Sequence, residues 1–166
     1  MSGPRRHRHW PQPFLLAVLA VVAMTAISTV VPAATTEQIV VDRRSGLAIH
    51  GFDPVAYFTD DTALLGRNEL ELSYAGAIWR FRNAGNRAAF KRRPDVYMPQ
   101  FGGYDPVLLA RQVATPGHPQ FWLIVEDRLY LFYDGASRDR FAADPEAAAA
   151  IAHVNWPEVA ATLPSR

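Results

Sequence analysis

The chain has 166 residues, of which 49% are apolar and 20% charged, with a formal net charge of +1 and no cysteine. This composition suits one globular domain with an appendage. The missing cysteines exclude disulfides, thiolate metal sites and thiol catalysis. Because Arg5, Arg6 and Arg8 precede the first acidic residue, Glu37, the remainder is slightly acidic, which argues against nucleic-acid binding.

Residues 1–34 have the pattern of an export signal. A basic stretch precedes an apolar run from Phe14 to Ile27, and Val31 and Ala33 suit the −3 and −1 positions of a cleavage site. We therefore expect an exported protein, periplasmic or secreted, that contacts the membrane only through this segment. Since residues 14–34 are about long enough to span a bilayer, an uncleaved membrane anchor is the alternative.

The rest of the chain divides by composition into three parts. Residues 35–48 are polar and mixed, which favours a linker. Residues 49–160 carry the alternating and helical patterns of a folded domain, and residues 161–166 form a short tail.

Three Asp-Pro pairs predict helix starts within the domain. Aspartate accepts hydrogen bonds from free backbone N–H groups as N-cap, and proline fits the first helical position. The predicted helices are Pro54–Phe58, Pro106–Gln112 and Pro145 to about Val154.

Two β-hairpins are predicted between these helices from alternating apolar and polar residues. Their strands are Glu69–Tyr74, Ala77–Phe81, Phe121–Val125 and Arg128–Tyr133. Asn83 suits the N-cap of a further helix, Ala84–Arg93, which Pro94 ends. Strands interleaved with short helices indicate a small single α+β domain with antiparallel hairpins, and no internal repeat is evident.

Five segments of the domain follow one another in an order typical of one family. They are Gly51–Phe58 (GFDPVAYF), Gly76–Asn83 with Phe90, Pro94 and Tyr97, Pro99–Tyr104 (PQFGGY), Trp122–Phe132, and Asn155–Pro157 (NWP). Together they resemble exported YHS-domain proteins over residues 51–157. The resemblance implies a small metal-binding domain, with copper as the expected metal in cysteine-bearing members.

This chain departs from the family where the relatives carry cysteine. The corresponding positions are Ala56, Arg82, Asn86 and Asp105. A soft-metal site needs thiolate, thioether or imidazole ligands, and an arginine cannot bind a cation. The resemblance therefore implies a YHS-like module without thiolate ligands, whose cofactor would be a divalent ion such as copper or zinc held by other side chains.

Asp105 has two interpretations because it combines a helix start with paired glycines. It is either a ligand or general base in a pocket with Gly102, Gly103 and Tyr104, or a plain N-cap. The glycines likewise favour either a nest for an anion or oxygen atom, or a tight turn between packed elements. Tyr57 is a further candidate pocket residue.

The first Asp-Pro segment offers a candidate metal site. If His50, Asp53 and Asp105 converged, they would suit zinc, manganese or copper(II), and Asp53 would also belong to the ligand pocket. The alternative is solvated or packing histidines, because His50, His118 and His153 share no ligand spacing.

Three functions remain open from the sequence. The first is an exported module that binds a metal ion or small ligand. The second is a structural or partner-binding protein in which the relatives' site has decayed. The third is a hydrolase-type enzyme with Asp53, Asp105 or His50 as acid–base groups, although no catalytic triad or HExxH motif is present.

Overall fold

The computed structural model describes Gly3 and residues 38–164 of the chain. The predicted signal or anchor therefore lies outside the described residues. Within them the fold is α+β, as expected, with two separate two-stranded antiparallel sheets and short helices. No helix among these residues combines the length and apolar character that a membrane span requires.

The elements follow the chain in a regular order. The strands are β1 (Arg67–Tyr74), β2 (Ala77–Phe81), β3 (His118–Val125) and β4 (Arg128–Phe132). The helices are α1 (Ala56–Thr59), α2 (Ala84–Arg92), α3 (Pro94–Tyr97), α4 (Pro106–Leu109), α5 (Gly135–Ala143) and α6 (Pro145–Thr162). Short 3₁₀ turns lie at Ile49–Gly51 and Gln100–Gly103. Both predicted hairpins and the helix capped by Asn83 are confirmed.

The last helix is longer than its sequence pattern predicts. α6 continues past Val154 and contains Pro157, ending only at Thr162. Proline removes one backbone donor from the helix. Val159 and Ala160, which follow the proline, are buried, so tertiary packing stabilises the last turns of the helix.

Residues 38–48, where composition predicts a linker, instead pack against the domain. Val40 is buried and its N–H donates to the Gly102 carbonyl at 2.8 Å. Ala48 is also buried and donates to the Ile78 carbonyl at 2.9 Å. The segment is too short and too irregular to show the alternation of a strand. Its place in the core is therefore evident only from its hydrogen bonds to Gly102 and Ile78.

The domain is built from two copies of one backbone motif. Each copy begins with a left-handed turn, continues through an Asp-Pro helix start and a β-hairpin, and ends in a capped helix followed by proline. The hairpins share their register: Arg67 pairs with Phe81 and His118 with Phe132, and the pairing is interrupted at the same point in both.

The helix that follows each hairpin, α2 in the first copy and α5 in the second, also repeats. Asn83 caps α2 by accepting from the Asn86 N–H at 2.8 Å, and Asp134 caps α5 by accepting from the Ser137 N–H at 2.7 Å. Each helix then places one phenylalanine against the hairpin. Phe90 packs on Trp79 at 5.0 Å, and Phe141 packs on Tyr130 at 4.8 Å between ring centroids.

The expectation that the domain lacks an internal repeat is therefore wrong. Identical side chains at matching places are concentrated in the Gly-x-Asp-Pro-Val segments 51–55 and 103–107, and beyond them are scattered, among them Gly66 with Gly117, Phe90 with Phe141 and Pro94 with Pro145. Outside these two segments the copies share hydrogen bonding and burial more than residue identity, so the sequence shows only the short repeated motif and the structure shows the full duplication.

Strand β4 joins the two copies because both of its faces are buried. Leu129 and Leu131 belong to the core of the first copy, whereas Tyr130 and Phe132 belong to the core of the second. Alternate side chains of a strand point to opposite faces, so one short strand serves both cores.

The repeat predicts opposite effects of alanine at two matching positions. Asn86 donates from Nδ2 to the buried Asp53 carboxylate at 2.7 Å, whereas the Ser137 hydroxyl is buried with no partner among the described residues. We expect Asn86→Ala to lower the free energy of unfolding by about 2 kcal/mol. Ser137→Ala should leave it unchanged or raise it slightly. Urea denaturation of both variants checks this, and equal losses would contradict it.

Candidate functional site

Two fully buried carboxylates anchor the two copies. Asp53 is 0% exposed and makes three hydrogen bonds. Its Oδ1 accepts from Val55 N at 2.8 Å, and its Oδ2 accepts from Arg82 N and Asn86 Nδ2, both at 2.7 Å. The side chain thus ties the α1 region to the end of β2 and to α2.

Asp105 has the same role in the second copy. It is also 0% exposed, and its Oδ1 accepts from Val107 N at 2.8 Å and Leu108 N at 3.2 Å. Its Oδ2 accepts from Tyr133 N, just beyond β4, at 2.8 Å. This geometry matches the N-cap interpretation of Asp105.

Neither carboxylate forms an ion pair with a described residue. They accept instead from N–H donors: backbone groups after each aspartate and at each hairpin end, and, for Asp53, the Asn86 side-chain amide. With both oxygens of each group engaged and buried, Asp53 and Asp105 serve structure, and neither is open to a ligand from solvent.

The structure does not gather the predicted metal ligands. His50 is exposed, whereas Asp53 and Asp105 are buried in separate copies. In residues 38–164 no group of three or more His, Asp or Glu side chains has the proximity needed to hold a metal ion.

The paired glycines form a tight turn covered by the chain itself. Gly102 and Gly103 have φ values of 62° and 92°. A Cβ at Gly102 would overlap the carbonyl oxygen of Gln38, and the Gly102 carbonyl accepts from Val40 N. The turn therefore holds the incoming segment 38–40 rather than an open anion site.

The two predicted pocket tyrosines differ in surroundings. Tyr57 is buried and its hydroxyl donates to the Pro119 carbonyl at 2.9 Å. Burial, with the nearby Asp53 charge, raises the pKa of Tyr57 far above its usual range, so its hydroxyl remains a donor. Tyr104 borders a cleft of about 230 Å³ with Val40, Arg43 and Leu163 among its other lining residues.

An exposed histidine pair was not anticipated. His50 lies at the centre of the first left-handed turn, and His118 begins β3 in the second copy. Their ring centroids are 6.3 Å apart. No local spacing signals this pair, because the chain separates the two residues by a complete hairpin and several helices.

The turn beneath His50 is strained. Ile49, His50 and Gly51 have φ values of 42°, 55° and 80°. A β-branched residue at positive φ is a rare outlier, and such strain of about 1–3 kcal/mol per residue tends to persist at functional sites. The matching turn of the second copy has glycine at the central position, Gly102.

A further cleft lies between the β3–β4 turn and α6. A cleft of about 240 Å³ is bordered by Val125, Arg128, Tyr130 and His153 among others. In the first copy Tyr74 occupies the position of Val125, and its ring packs on Phe90 at 5.9 Å.

Comparison with known proteins adds no assignment. Neither a protein-family model, a curated protein sequence nor a solved structure matches the chain.

Because the chain covers the Gly102–Gly103 turn, one added methyl group at Gly102 should strongly destabilise the fold. Gly102→Ala would place Cβ on the Gln38 carbonyl, so we expect loss of folding or at least about 3 kcal/mol of stability. Gly76→Ala is the control, because Gly76 has a similar φ of 77° but no atom within 4 Å of the added Cβ. It should cost only about 1 kcal/mol from backbone strain. Similar thermal midpoints for both variants would contradict this account.

The environment of His153 predicts a small pH dependence. Burial against Phe101, whose ring centroid lies 4.7 Å away, lowers the pKa of His153 below 6.5, and the positive charge of Arg128 adds to this effect. The unfolded chain then binds the proton more readily, so stability falls as pH drops through 6.5 towards the lower folded pKa. His153→Gln should remove this contribution, as measured by denaturation between pH 7 and 5. An identical pH profile in the variant would contradict the prediction.

Proposed function

We propose that this chain is an exported, non-catalytic binding module of YHS-like architecture that holds a metal ion or small ligand without thiolates. The observation that carries the proposal is the strained Ile49–Gly51 turn, which presents an exposed imidazole at its centre. Strain that a glycine would relieve is retained here, although the matching turn of the second copy uses glycine. Retained strain is typical of a position that serves binding.

The replaced cysteine positions support a module that works without thiolates. Ala56 is buried, the Arg82 N–H and the Asn86 amide both donate to Asp53, and Asp105 caps α4. These four positions now contribute packing and hydrogen bonds to the scaffold. A hydrolase-type function has less support, because its two candidate carboxylates are buried and fully bonded.

A structural or partner-binding role is the second candidate, and one surface favours it. Ile151 and Val154 lie one turn apart on α6 and are 50% and 79% exposed. Apolar side chains of this size on one helix face are typical of a protein contact. The replaced cysteine positions are equally compatible with this role.

Native mass spectrometry of the full chain, produced with its leader in an exporting host, tests the proposal. We expect one bound ion or small molecule per chain, and an intact mass that corresponds to cleavage after Ala33. Elemental analysis identifies a metal. A ligand-free protein that crosslinks to one partner, with the crosslink lost in an Ile151→Ser/Val154→Ser variant, would instead establish the second candidate.

His50→Gly sharpens this test because binding and stability should change in opposite directions. Glycine adopts φ of 55° without strain, so the free energy of unfolding should stay unchanged or rise by up to about 1 kcal/mol. The bound ligand should be lost. A variant that is destabilised, or that retains the ligand in full, would show that the turn serves folding alone.

A further inference from the structure

We propose that His50 and His118 together bind one copper(II) or nickel(II) ion at the junction of the two copies. This inference rests on the proposed binding function and names its ligand class. It depends on the ring geometry, on the free nitrogens of both rings and on the charges around them.

The distance between the rings fits two ligands on opposite sides of one ion. With a metal–nitrogen distance of about 2.0–2.1 Å, two imidazoles facing each other across an ion have centroids about 6.4 Å apart. At a tetrahedral angle the centroids would be about 5.2 Å apart. For donor nitrogens that face each other, the observed 6.3 Å fits the square-planar or tetragonal geometry of copper(II) and nickel(II) better than the tetrahedral geometry of zinc.

Both rings have nitrogen atoms free for an ion. The His50 imidazole makes no hydrogen bond with any residue in 38–164, and His118 uses only Nδ1, which accepts from Gln120 N at 3.2 Å. Binding through Nε2 of His118 requires its ring proton to move to Nδ1, which ends the contact with Gln120. Metal binding therefore costs one long, exposed hydrogen bond. Both side chains are exposed, so water can complete the coordination of the ion.

The surrounding charges tolerate a cation. Asp42 lies within electrostatic reach of His50: its pKa is lowered chiefly by the Ser45 hydroxyl, with a smaller effect from His50. Arg80 packs over Gly51, but its guanidinium is paired with Glu71 at 2.8 Å. A bound ion would thus be near the Asp42 carboxylate, and the positive charge of Arg80 would be balanced by Glu71.

The fold accounts for the pairing of these two residues. His50 belongs to the turn of the first copy, and His118 to the first strand position of the second. Their counterparts are Gly102 and Arg67, neither of which binds a metal through its side chain. The duplication therefore yields a single asymmetric site.

The test titrates the full chain with copper(II), nickel(II) and zinc(II) by calorimetry. A His7→Gln/His9→Gln background removes the two leader histidines. We expect one copper(II) per chain, nickel(II) weaker than copper(II), and zinc(II) weaker than nickel(II). His50→Asn, which tolerates positive φ, and His118→Gln should each weaken copper(II) binding at least about tenfold. His153→Gln is the matched control and should bind as the parent does.

Two spectroscopic readouts localise the ion. Electron paramagnetic resonance of the copper(II) complex should show coupling to two imidazole nitrogens, and one in each single variant. The Gln120 amide resonance should shift with diamagnetic zinc(II) as its contact with His118 ends. Copper(II) binding unchanged in both single variants would overturn the site but leave the binding function standing. A chain that binds no ion and no small molecule would overturn the proposed function itself.

Discussion

The fold depends on one interaction made twice: a fully buried aspartate that accepts three hydrogen bonds. Asp53 and Asp105 each join the start of a helical segment to the end of a hairpin. A buried charge is costly unless it is satisfied, so each carboxylate fixes the positions of its donors. The left-handed turn that precedes each aspartate and the helix that follows each hairpin are set by this arrangement.

The duplication separates the roles of similar residues. Features that recur in both copies, such as the buried aspartates and the tilted ring contacts of Phe90 and Phe141, serve the scaffold. Features found in one copy alone mark places where the scaffold does not dictate the residue. His50 is the clearest example, because its counterpart Gly102 is required to be small whereas His50 is exposed and strained. The proposed binding function therefore depends on the residues that differ between the copies.

The positions that hold cysteine in the proteins this chain resembles contribute hydrogen bonds here. Where the resemblance places cysteines, the amide of Asn86 and the capping carboxylate of Asp105 now bond within the core. Such bonds stabilise a scaffold without any bound ion. A metal ion, if held by His50 and His118, then lies at the surface, where it exchanges with solvent and makes little contribution to folding.

The sequence by itself determined the local elements. Asp-Pro pairs, Asn83 and the alternating runs predict the hairpins and the starts of α2, α4 and α6, because capping and strand period depend on neighbouring residues. The first Asp-Pro pair is followed by a turn, and α1 begins only at Ala56. Only the tertiary structure decided what lies far apart in sequence: the packing of residues 38–48, the continuation of α6 through Pro157, the matching of the two copies beyond their Gly-x-Asp-Pro-Val segments, and the approach of His50 to His118. These depend on backbone partners and burial across the fold, which leave no fixed spacing in the chain.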